Sequence, residues 1–157
     1  MFKWLKARRE RREQFLRDIR ERSEFANYVP SVTAEDVLRI IRRDFPGVNP
    51  SELLAALGPY GAEEYHTEKH RVHAAILKLS NGDRDRLGQF VQNAVRDFRE
   101  VLMPAEMPGF HQLLLAQQPR EFAQRPIQEF KAIAQKDREQ YIDWLNRETN
   151  SVKARGE

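Results

Sequence analysis

The chain has 157 residues, 40% of them hydrophobic and 32% charged, with a net charge of +3 and no cysteine. That length suits one domain with its own core, and the absence of Cys excludes a disulfide-stapled scaffold and any thiolate metal site. No run reaches the roughly 20 apolar residues that span a bilayer, and Phe2, Trp4 and Leu5 lead straight into charges rather than into a signal-peptide core, which points to a cytoplasmic protein.

Residues 2–24 hold neither Pro nor Gly and read as one charged helix. Nine Lys and Arg against four acids make residues 1–22 strongly basic, so the rest of the chain is slightly acidic. An anionic partner, whether nucleic acid or a membrane surface, would therefore meet this arm first, through Lys3, Lys6, Arg8, Arg9, Arg11 and Arg12, with Phe2, Trp4 and Leu5 as an apolar tip. The stripe of Phe15, Leu16 and Ile19 is interrupted by arginine, so the helix is expected to project, supported by the i, i+4 pairs Arg9–Glu13, Glu13–Arg17 and Asp18–Arg22.

After the linker "ANYVPS", Thr33 is the N-cap of a helix, with Asp36 three residues on in a variant capping box. Val37, Leu38, Ile40 and Ile41 form its apolar face, and "DFPG" ends it. Asn49-Pro50 opens a short helix carrying Leu53, Leu54 and Leu57, and Gly58-Pro59 closes it. This corner has helix-turn-helix proportions. Its second helix opens on Asn49, Pro50, Ser51 and Glu52, without the Arg or Lys of a DNA reader, so an ordinary helical corner is preferred.

The spacing predicts a helix over 62–80 that buries Tyr65, Val72, Ile76 and Leu79, a stop at Asn81-Gly82 and a restart at Asp83. Leu87, Phe90, Val91, Ala94, Phe98, Val101 and Leu102 then form one apolar face over a continuous helix. Pro104, Pro108 and Gly109 mark a boundary before the short apolar helix "FHQLLLAQQ". Pro119 and Pro126 frame an irregular stretch. The final helix shows Ile127, Phe130, Ile133, Ala134, Tyr141, Trp144 and Leu145, and "TNSVKARGE" frays.

On the 62–80 helix, His66, His70 and His73 stand at i, i+4, i+7, within an arc of roughly 60°, with Glu63 at its edge. An i, i+4 histidine pair chelates divalent transition metals, and Glu63 can add an oxygen. His66 and His73 are about 10 Å apart along such an axis, so one ion takes two of the three. The competing reading is a solvated polar flank. No phosphate loop, nucleotide fingerprint or nucleophile elbow occurs, and the sequence points to neither an enzyme nor a cofactor.

"AEDVLRIIRRDFPGVNPSELLAALGPYG" and "HRVHAAILKLSNGDRDRLGQFVQNAVRDFREVLMPAEMP" resemble a group of small, uncharacterised bacterial helical proteins. The likeness lies in Phe45-Pro46-Gly47, in residues 71–83, and in residues 97–102 followed by Ala105-Glu106. It covers about residues 34–108 and implies a bacterial helical domain with no activity attached.

The expectation is an all-α protein, a small bundle of about six helices with a projecting basic N-terminal helix (residues 1–24), a helical domain (33–148) and a frayed tail (149–157). Its expected role is non-catalytic interaction or regulation, with a protein partner or a second copy of itself. Binding of nucleic acid or an anionic membrane surface through the arm comes second, and metal binding by the histidine face third.

Overall fold

The computed structural model describes residues 6, 7, 9–11, 13, 14, 17, 29–116 and 124–148. Among the described residues there is no strand, and the all-α class stands. Helix α1 (Ala34–Asp44) starts as its sequence dictates. The Asp36 N–H donates to Thr33 Oγ1 at 3.2 Å, and the Thr33 N–H donates to Asp36 Oδ2 at 2.9 Å, closing the capping box. Helix α2 (Pro50–Leu57) is capped by Asn49, whose Oδ1 accepts from the Ser51 N–H at 3.0 Å. Its Leu53 and Leu57 are buried, whereas Leu54 faces outward.

Helix α3 (Lys69–Ser80) is the centre of the fold and packs against α1, against α4 (Arg84–Arg96) and against α5 (Arg99–Glu106). Residues 72–77 are buried without interruption, so α3 is covered on all sides rather than along one stripe. It ends at Asn81, which adopts the left-handed conformation (φ 50°, ψ 46°) and is followed by Gly82 at φ 77°. A Cβ on Gly82 would lie 2.9 Å from the Asp44 carbonyl oxygen. Glycine therefore permits both the turn and its approach to the end of α1. Asp83 restarts the chain, its carboxylate accepting from the Asp85 and Arg86 N–H groups.

Two predicted helices are corrected. The one expected over 62–80 begins only at Lys69, because residues 60–67 close on themselves. The Tyr60 hydroxyl donates to the Thr67 carbonyl at 2.8 Å, and the Gly61 N–H donates to His66 Nδ1 at 2.8 Å. Tyr65, expected in the core, is 74% exposed. The continuous helix over 83–102 breaks at Asp97, whose extended backbone (φ −156°, ψ 107°) stops α4. Its carboxylate accepts the Arg99 N–H at 3.0 Å and so serves the start of α5. This break divides one expected helix into two. Phe90 and Phe98 pack on the core only half-buried. Helix α5 runs through Pro104, where a boundary was expected; a mid-helix proline forfeits the bond to the carbonyl four residues back, and packing here outweighs that loss.

Helices α6 (Pro108–Ala116) and α7 (Ile127–Asn146) pack on each other and on α5, and α7 also meets α1 and α3 through side-chain contacts. From α7 only Tyr141 and Leu145 enter the hydrophobic core. The tail at 149–157 lies outside the described residues.

Candidate interaction surface

The histidine face is not built. His66 lies in the turn before α3, and only His70 and His73 are on the helix. His66 Nδ1 accepts from the backbone of Gly61, its Nε2 is buried without a hydrogen-bond partner, and its ring stacks on Tyr60 at 4.6 Å. His73 is 3% exposed, and its Nε2 lies 2.7 Å from the Tyr60 carbonyl oxygen, which can only accept, so that nitrogen carries the proton. Glu63 stands exposed in the turn. Among the described residues no group of three or more His, Asp or Glu is arranged to hold a metal ion. The metal reading assumed one continuous helix through Glu63 and His66, and the Tyr60–His66 turn removes that assumption.

His73 instead gives the fold a pH dependence. Burial holds its pKa below the ordinary value, with the Tyr60 carbonyl opposing and the charges of Lys69 and His70 adding to the depression. Stability tied to its neutral form is present above the ordinary pKa of 6.5 and is lost as the pH falls through the lower folded value. Denaturant midpoints of the full chain should therefore drop between about pH 7 and about pH 5, and His73→Gln should flatten that drop. Equal drops in both proteins would assign the acid sensitivity to other groups.

Buried and half-buried charges tie the helices together. Arg71 in α3 donates from Nε and Nη2 to both oxygens of Glu106, each at 2.7 Å, and from Nη1 to Glu68. Lys78 Nζ donates to the Ala105 carbonyl at the end of α5 and to Gln140 Oε1 on α7 at 2.8 Å, with the Tyr141 and Trp144 rings beside it. Burial pushes the Lys78 ammonium down to about 8 against the pull of Asp137 and Glu106. Stability tied to Lys78 is thus present above the ordinary 10.5 and lost as the pH falls through about 8. Arg71, Lys78, Ala105 and Glu106 are in this way brought together as packing contacts.

Asp137 closes a helix from a distance. Its Oδ1 accepts from the Gly109 N–H and its Oδ2 from the Phe110 N–H, each at 2.9 Å, so a side chain of α7 caps the start of α6. A Cβ on Gly109 would lie 2.8 Å from Asp137 Oδ1, so glycine lets the two helices meet there. At the other end of α7, Arg39 and Arg43 of α1 donate to its last carbonyls, those of Trp144, Leu145 and Arg147. Among the described residues, the buried side chains of Arg43, His73, Glu106 and Asp137 are each engaged in a polar contact that ties separate segments together.

Two features remain outward. In the arm, Lys6, Arg9 and Arg11 are exposed, as is Arg17, and Arg9 pairs with Glu13 at 2.9 Å as expected. Lys3, Arg8, Arg12 and the apolar tip of Phe2, Trp4 and Leu5 lie outside the described residues, as does the arm's stripe of Phe15, Leu16 and Ile19. The second feature is α6. None of its nine residues is buried; Leu114 is 38% and Leu115 76% exposed. The sequence marks this helix as short and apolar, and its leucine run already bears on exposure. Three consecutive leucines cover about 200° of a helical wheel, so at least one must face away from the body. No described helix is long and apolar enough to cross a membrane. No family model, curated protein or solved structure matches this chain.

Proposed function

We propose that the chain is a non-catalytic helical interaction protein that docks a protein partner on α6. One observation carries this reading: Leu115 stands three-quarters exposed on a helix with no buried residue. The rest of the polar interior supports it, because Arg43, Arg71, His73, Lys78, Glu106 and Asp137 are all spent on helix ends and helix-to-helix ties. An apolar patch kept at the surface of a heavily charged molecule marks an interaction site. With the full chain immobilised, a partner held there by apolar burial should remain bound at ~0.5 M salt, where exposed charges are screened, and should be lost with Leu115→Glu.

The exposed Lys6, Arg9, Arg11 and Arg17 favour a second reading, binding of nucleic acid or an anionic membrane surface by the arm. It predicts the opposite result: binding that ~0.5 M salt abolishes and that ignores Leu115.

A further inference from the structure

We infer that the occupant of the α6 face is a second copy of this chain, seated α6 against α6 about a two-fold axis. This rests on the reading of α6 as a docking face. The charge pattern selects the occupant. Residues 107–119 contain no Asp, Glu, Lys or Arg, the longest such run in a chain that is 32% charged. A two-fold contact sets each residue near its own equivalent, so a charged face repels itself and a neutral one does not. Of the other outward hydrophobics, Tyr65 sits next to Glu64 and Val95 next to Arg96, while Val29 and Leu54 each stand without a second exposed large hydrophobic beside them in sequence. On α6 the exposed Gln112, Leu114, Leu115 and Ala116 are uncharged, and the Gln112 amide carries a donor and an acceptor, a pair that complements itself. A heterologous charged partner would instead demand opposite charges around the leucines, and α6 offers none.

Size sets the strength. Nine helical residues are about 13 Å long, and a single helix pair falls short of the ~1,200 Å² of a stable interface. The dimer is therefore reversible.

The test is light-scattering mass of the full chain from ~10 µM to ~1 mM, a range that brackets weak association. Wild type should rise toward twice the monomer mass. Leu115→Glu and Leu115→Lys should each stay at monomer mass, and their equimolar mixture should recover the dimer, because opposite charges then face each other. Equal melting midpoints establish that both variants fold, as expected for so exposed a position. Wild type at monomer mass throughout would overturn the self-partner. The α6 reading would then survive only if a salt-resistant partner of another kind is still lost with Leu115→Glu. Dimerisation of Leu115→Glu as strong as wild type would overturn the proposal by placing the contact elsewhere.

Discussion

Ile76→Ala should lower the unfolding free energy by roughly 2–5 kcal/mol, by removing apolar burial and leaving a cavity. Ile76 is fully buried at the centre of α3, and α3 is enclosed by α1, α4 and α5, so no single neighbour can collapse into the gap without leaving another. Against the ~5–15 kcal/mol that stabilises a typical domain this is a severe loss. Phe98→Ala is the instructive comparison. On one continuous helix over 83–102, Phe98 would be a core residue with a cost of this size. It is only half-buried at the Asp97 break, so its cost should be clearly smaller. Urea midpoints of the two variants, measured side by side, decide the matter, and a Phe98→Ala loss equal to that of Ile76→Ala would contradict the break.

Arg43→Ala should cost about 3 kcal/mol, the lower end for breaking a buried pair. The Arg43 side chain is 1% exposed and that of Asp44 11%, and the guanidinium donates through Nε and Nη2 to both Asp44 oxygens at 2.7 Å. Its Nη1 donates to the Trp144 carbonyl at 2.7 Å and the Arg147 carbonyl at 2.8 Å, and the group lies 5.0 Å from the centre of the Trp144 ring. Removing it strips a cation from the negative end of α7 and leaves the Asp44 carboxylate without its buried partner. Lysine keeps the charge but not the planar fork, so Arg43→Lys should recover little. Denaturant midpoints should fall for both variants and hold for the neighbouring exposed Arg42→Ala. An unchanged midpoint for Arg43→Ala would show that the Arg43 contacts do not hold α7 in place.

Local signals were legible and distant ones were not. Thr33 with Asp36, Asn49 with Pro50, Asn81 with Gly82 and Asp83 act within three residues of themselves, and each forms the predicted cap or stop. Asp137 looks like one more surface acid of a charged helix; its burial depends on Gly109 and Phe110, more than 25 positions away. The closure of α7 by Arg39 and Arg43 spans about 100 positions and leaves no periodic trace. The histidine site failed for a related reason. Apolar spacing extends smoothly back through Tyr65, while the stacking of His66 on Tyr60 and the left-handed Glu68 (φ 51°) delay the helix until Lys69. The α6 face lay between these cases. Its leucine run was visible, but the decision about which leucine faces out needed the position of α7.

Amide hydrogen exchange along the full chain, at ~10 µM and ~1 mM, tests most directly whether α6 is the face this protein uses. Exchange within Pro108–Ala116 should slow at the higher concentration, exchange in α3 should stay the same, and Leu115→Glu should abolish the difference. Concentration-dependent protection confined to residues 6–17, with none in α6, would contradict the assignment and move the contact to the arm.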